Sequence, residues 1–290
     1  CLLVLLFLFN PIVQSLRGIQ QASELKKVQK TLGCPRASLG SLSESVEVFE
    51  PERLKEVIAE LGGKLEPIAK DPRLKGIQHT LTLVDGSVMK VLPWLSQAML
   101  QEPTDEQKIR LHAHFEVDRY VPVHIDVTGG TPRGEDDERA VMGRSIQPDR
   151  LYAMDRGYAK FALFNAIVAA GSSYVCRIRD NSTYGVIESR ALCEEDIEAA
   201  VVKDEIVHIG TGSKEEARPD HPLRIVTIKI TPHEKRGGSA GPGCDGYLRI
   251  ATNLLDVPAW VIGLAFRYRW TIEISQPHSS PSAAVYQVAA

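Results

Sequence analysis

Leu151-Tyr152-Ala153-Met154-Asp155-Arg156-Gly157-Tyr158 is the stretch whose reading decides the fold. A short apolar run ends on a carboxylate, a glycine follows, and an amphipathic segment runs from Ala159 to Ala170. The pattern predicts strand, turn and helix, with Asp155 exposed at the strand's C-terminal end. In open α/β sheets that edge is where chemistry collects. An aspartate before a helix also serves as a cap, so this stretch alone leaves both readings open. Two further carboxylates bear on the choice. Asp85, in Leu81-Thr82-Leu83-Val84-Asp85-Gly86-Ser87, also ends an apolar run before a glycine, and Glu273 closes the helical pattern Phe266-Arg267-Tyr268-Arg269-Trp270-Thr271-Ile272-Glu273. Two acids at strand ends and one on a late helix form a set suited to a pair of divalent metals.

Three blocks, in this order and at these separations, carry a family resemblance: Val84-Asp85-Gly86-Ser87, Asp155-Arg156-Gly157-Tyr158 and Tyr268-Arg269-Trp270-Thr271-Ile272-Glu273. From about residue 5 to Ile274 the chain resembles insertion-sequence DDE transposases of the family-four type. The resemblance implies an α/β fold: an RNase H-like mixed-sheet core with a β-rich insertion and a helical N-terminal domain. It implies a helical, DNA-binding region over 1–75 and a first part of the catalytic core over 76–183. A β-rich insertion over 184–250 and a return to the core with the last catalytic helix over 251–274 follow. Residues 275–290 do not match and are expected to be a disordered tail.

The resemblance also implies the chemistry. Asp85, Asp155 and Glu273 would be the ligands of two Mg2+ (or Mn2+) ions. The reaction would be hydrolysis at the element's ends, then attack of the freed 3′ hydroxyl on target DNA. The partners implied are the terminal inverted repeats and a target duplex, bound by a homodimer in the bacterial cytoplasm, at the nucleoid. Magnesium prefers carboxylate and water oxygens and takes only one or two carboxylates each, so two aspartates and a glutamate suit it without histidine. Phe266, Arg269, Trp270 and Glu273 share one helical face, which puts Arg269 within reach of a phosphate beside the metals, where its planar fork suits two oxygens. Arg156 is a further DNA ligand by the same resemblance. The family's tyrosine and lysine fall on Phe266 and Ser280 and do not carry over.

Composition is that of a globular chain. The net charge of −3 gives no support of its own to nucleic-acid binding. Local charge says more: residues 1–40 carry Arg17, Lys26, Lys27, Lys30 and Arg36 against Glu24 alone. The five cysteines are scattered and never spaced Cys-x-x-Cys, which disfavours a zinc site and suits a reducing compartment. The opening run Leu2 to Phe9 is too short to span a bilayer, lacks preceding basic residues, and reads as a buried helix; no membrane association is expected.

In chain order, Ser15 to Leu32 reads as one helix with Leu16, Ile19, Leu25, Val28 and Leu32 on its apolar face, ended by Gly33 and Pro35. Ser38 to Glu44 reads as a polar connector, and Pro51 opens a second amphipathic helix closed by Gly62-Gly63. Lys26, Lys27 and Lys30 are candidate phosphate ligands; a solvated helix face is the competing reading. Strands are expected at His79–Val84, Ile109–Val117, Val121–Val127, Leu151–Met154 and Ser173–Arg179, a pattern that leaves several α/β topologies open. The acidic run Glu135 to Glu138 points around a helix axis rather than at one ion and reads as an exposed first turn. From Tyr184 to Leu248 the pattern becomes β-prone and turn-rich. It is expected to form a sheet of its own, with Arg224, Lys229, Lys235 and Arg236 as DNA ligands. Asp256 is the expected cap of the last helix.

After Ile274 the chain turns to Ser275-Gln276-Pro277, and a proline there would interrupt the helix soon after Glu273. The expectation is a chain that binds DNA but does not transpose. The alternatives are a non-catalytic DNA-binding remnant, or a metal-dependent nuclease of the same fold that cuts without joining.

Overall fold

The computed structural model describes residue 3 and residues 15–48, 51–68, 71–90, 108–129, 131, 134–209, 218–230 and 245–270. The chain divides into two compact units, Cys1–Glu60 and Leu61–Ala290.

In the first unit the helices are α1 (Leu16–Glu24), α2 (Lys26–Leu32) and α3 (Leu39–Val48), with α4 (Pro51–Lys64) running on past its boundary. The single helix expected from Ser15 to Leu32 is broken at Leu25, whose backbone is extended (φ −74°, ψ 122°) and whose side chain is 58 % exposed. The break is held by side chains: Gln29 Nε2 donates to the Ser23 carbonyl (2.8 Å), and the Ala37 N–H donates to Ser23 Oγ (3.1 Å). The expected connector after Ser38 is helix α3, because Ser38 Oγ accepts from the Ser41 N–H (3.0 Å) and starts the turn. Leu3, Ile19 and Leu42 form this unit's small core.

The second unit is mixed α/β around one sheet of nine strands among the described residues: β1 (Thr80–Lys90), β2 (Lys108–Glu116), β3 (Val121–Gly129), β4 (Arg150–Met154), β5 (Ser173–Arg177), β6 (Tyr184–Ser189), β7 (Val201–Ile209), β8 (Leu223–Lys229) and β9 (Tyr247–Thr252). Their order is β3-β2-β1-β4-β5-β9-β8-β7-β6. β1, β4 and β5 are parallel neighbours, and every other adjacent pair is antiparallel. The expectation of a separate sheet for 184–248 is therefore not met. β9 pairs with the open edge of β5 through Val175–Thr252, Cys176–Ala251 and Arg177–Ile250, and so joins β6 to β8 onto the core.

Strand alternation builds two cores. Leu81, Leu83, Leu151, Ala153, Val175, Val226 and Ile250 face helix α8 (Ala259–Arg267). Val84, Tyr152, Met154, Tyr174 and Cys176 point the other way, onto helices α5 (Glu138–Arg144) and α6 (Phe161–Ala169). The start of α8 departs from expectation. Asp256 does not cap it. The Trp260 N–H donates to Oδ1 of buried Asp196 (2.8 Å), a residue of the short helix α7 (Glu194–Glu198). Asp196 Oδ2 accepts from the Cys193 N–H (3.1 Å), so one carboxylate serves the N-termini of both helices. Among the described residues no helix is long and apolar enough to cross a membrane.

Candidate functional site

β1 and β4 run in the same direction, and their ladder ends with Leu83 opposite Ala153. Asp85 and Asp155 each lie two residues further on. They leave the same end of the sheet at the same level, and by alternation they lie on the α8 face with Leu83 and Ala153. β1 does not end at Asp85, as expected, but continues to Lys90, because its other edge stays paired with β2: Asp85 faces Ala113 and Gly86 faces His112. Asp85 is thus a carboxylate on a strand that outruns its parallel neighbour.

The two carboxylates are held differently. Asp85 Oδ2 accepts from Ser87 Oγ at 2.7 Å. Asp155 is the first residue of a 3-10 turn over Arg156–Tyr158, and its side chain makes no capping hydrogen bond. The cap reading of Asp155 loses its support. The Asp155 carbonyl takes the capping work instead, accepting from the Tyr158 N–H at 3.0 Å.

Helix α8 carries the cationic part. Arg269, just beyond its end, is 4 % exposed, with its guanidinium carbon 4.5 Å from the Trp270 ring centroid and 5.7 Å from that of Phe266. Trp270 is 44 % exposed rather than packed with Phe266. The end of α8 is anchored: Tyr268 Oη donates to Asp71 Oδ2 (2.6 Å), and Asp71 is forked by Arg73. Those bonds, the Arg73 bond first, pull the Asp71 carboxyl down to about 2. The Tyr158 hydroxyl senses the assembled charge. Burial raises its pKa, Asp85 and Asp155 add to the rise, and Arg110 and Arg269 oppose it. The buried Cys176 thiol likewise sits in the fields of Asp155 and Arg269. Asp85, Asp155 and Arg269 thus all act electrostatically on one buried tyrosine.

Alternation in Ser173–Arg179 marks two arginines but says nothing of their level. The structure puts Arg177 beside the acidic pair: Met154 pairs with Cys176, so Arg177 is one step along β5 just as Asp155 is one step beyond β4. Arg177, Arg269, Arg267, Arg73 and Lys229 line a cleft of about 630 Å³ along α8, with Glu195 and Glu198 as its acids. Arg224 is a correction. It is 1 % exposed and bound through Nε and Nη2 to Asp204 (2.7 and 2.8 Å), with Nη1 donating to the carbonyls of Leu254, Leu255 and Val257. It is a structural pin and has no face to offer DNA. Arg156 is exposed beside Asp155, and Lys26, Lys27 and Lys30 are exposed on α2 of the first unit. Glu273, Ser280, Lys235 and Arg236 lie outside the described residues.

Among the described residues no group of three or more His, Cys, Asp or Glu is placed to hold a metal ion. The donors present are nevertheless of the right kind for a hard divalent cation: two carboxylates, level and on one face, with Ser87 orienting one of them. Magnesium keeps several waters and takes one or two carboxylates plus substrate phosphates, so this pair fits part of such a site. No protein-family model matches the chain, and no curated protein matches it in sequence.

Proposed function

We propose that this chain is a DNA transposase of the insertion-sequence DDE type, with an RNase H-like core, acting on phosphodiester bonds at the ends of its element. The observation that carries the reading is the level placement of Asp85 and Asp155 on adjacent parallel strands, on the face covered by the helix that leads to Arg269. The strand order β3-β2-β1-β4-β5, with β2 antiparallel and β1, β4 and β5 parallel, supports an RNase H-like core.

Two divalent ions, when bound, supply charge stabilisation on the attacking and leaving oxygens. Asp85 and Asp155 would hold them, with Glu273 as the third ligand the resemblance implies. Ser87 fixes the rotation of the Asp85 carboxylate. Arg269 and Arg177, which line the cleft, offer planar donors to phosphate oxygens. Lys26, Lys27 and Lys30 contribute sequence-independent phosphate contacts.

The test is Mn2+ titration of the purified chain, followed by incubation with magnesium and a duplex bearing the element's inverted repeats. Binding that D85N and D155N each abolish, with nicking at the repeat ends, supports the reading. An unchanged Mn2+ isotherm in both variants ends it.

A further inference from the structure

The β1–β4 ladder stops two residues short of the acidic pair, so backbone pairing between these strands does not set the separation of Asp85 from Asp155. A side chain from the opposite face of the sheet lies against both segments. A β-carbon built on Gly86, next to Asp85, would stand 3.1 Å from Glu138 Oε1 and 3.0 Å from the Tyr158 hydroxyl oxygen. One built on Gly157, two residues past Asp155, would stand 3.2 Å from Glu138 Oε2. One carboxylate therefore presents one oxygen to each segment. Neither glycine has positive φ, so close approach, not backbone conformation, is what a side chain there would violate. Glu138 lies in the first turn of α5 and is ion-paired with Arg110 of β2, both largely buried. Arg110 cancels a charge that would otherwise compete for cations behind the pair.

We propose that Glu138, held by Arg110, is a positioning residue that sets the spacing of Asp85 and Asp155 by wedging its carboxylate between Gly86 and Gly157. The inference rests on the metal-binding reading above and deepens it. Glu138 touches no metal. It acts through the strand ends, as outer-shell groups do when they orient metal ligands.

The test is Mn2+ binding followed by loss of the free-ion paramagnetic signal, with thermal unfolding measured on the same samples. E138D keeps the charge but withdraws the carboxylate by one methylene. It is expected to weaken Mn2+ about 10- to 100-fold with little change in the metal-free unfolding temperature. G157A intrudes on Oε2 and is expected to weaken Mn2+ in the wild-type background but to be silent in E138A, where no carboxylate remains to be displaced. Full Mn2+ affinity in E138D, or additive losses from G157A and E138A, would overturn the positioning role while D85N still shows the metal site to be real. A wild-type chain that binds no Mn2+ overturns the metal-binding reading itself and the positioning role with it.

Discussion

Asp85 and Asp155 each lie two residues beyond Leu83–Ala153, the last pair of the parallel β1–β4 ladder, and by alternation on the same face of the sheet. Two level carboxylates on one face repel, and a cation between them removes that repulsion. Without metal, D155N is therefore expected to unfold at the wild-type temperature or slightly above it. Saturating Mn2+ should stabilise the wild type by about 2.7 kcal/mol at a hundred times its dissociation constant and leave D155N unmoved. Differential scanning fluorimetry with and without Mn2+ reads both. A metal-free D155N that is strongly destabilised would show Asp155 to be a structural residue.

Arg224 makes the opposite kind of contact. Its guanidinium is shared between Asp204 and three carbonyls of the segment leading to α8, with Arg224 and Asp204 both buried. R224M strands a buried carboxylate and is expected to cost about 3–5 kcal/mol, read as a lower urea midpoint. R224M/D204L, which removes both charges, should recover much of that loss. A double variant no better than R224M would mean that the carbonyl contacts, not the ion pair, carry the stability.

The parts of this fold legible in the sequence are those written in local pattern. An apolar run ending in Asp155-Arg156-Gly157 gave a strand end and a turn, and β4 and α6 lie there. The β character expected from Tyr184 to Leu248 was legible for the same reason, and among the described residues β6, β7, β8 and the start of β9 lie there. Its attachment was not: β9 meets β5 across 77 residues of chain, Val175 to Thr252, and pairing at that separation leaves no periodic trace. Arg224 shows the same blindness at one residue. A basic side chain in a β-prone run reads as solvent-facing until its partner Asp204, on the next strand, is seen beside it. Glu138 opens α5, but the exposed first turn expected there is not met at this residue: it is largely buried against Arg110, and its contacts with Gly86 and Gly157 exist only once α5 is laid on the sheet. The break at Leu25 escaped because Gln29 and Ser23, rather than a proline or glycine, impose it.

A histidine row under α5 sets a pH dependence. His114 is 3 % exposed, its ring 5.0 Å from that of His124, and burial first, then His124, bring its pKa down to about 3. His112, bonded to Thr128 Oγ1 at 2.8 Å, is lowered too, again chiefly by burial. His114 therefore stays neutral in the folded protein well below 6.5, where the unfolded chain takes up a proton, and His112 is shifted in the same direction. The stability from His114 is therefore fully present above that pH and falls as pH drops towards its folded value, by up to about 1.4 kcal/mol per unit, and His112 adds to the fall in the same direction. Asp71 and Asp137, both held near 2 by arginine bonds, add losses only below about 3.8. Urea unfolding between pH 7.5 and 4.5 should thus show a slope that H114N reduces. An H114N profile parallel to wild type over that range would place the titrating groups elsewhere.

The first unit's part in DNA binding turns on three lysines and a control. Lys26, Lys27 and Lys30 are exposed on α2, whereas Arg36 of the same unit is already paired with Glu24 at 3.0 Å. Exposed cations that neutralise phosphates release counterions, so the logarithm of affinity falls with the logarithm of salt by about 0.9 for each phosphate on duplex DNA. K26A/K27A/K30A is therefore expected to flatten that slope by up to about 2.7 and to weaken binding to all duplex sequences alike. R36A removes a cation that Glu24 already engages and should leave the slope nearly unchanged. Fluorescence anisotropy with a repeat-end duplex from 50 to 300 mM salt, on the full chain, separates the outcomes. An unaltered slope in the triple variant would make α2 a solvated face and leave DNA contact to the cleft along α8. An equal loss from R36A would show only that net charge, and not this helix, governs the association.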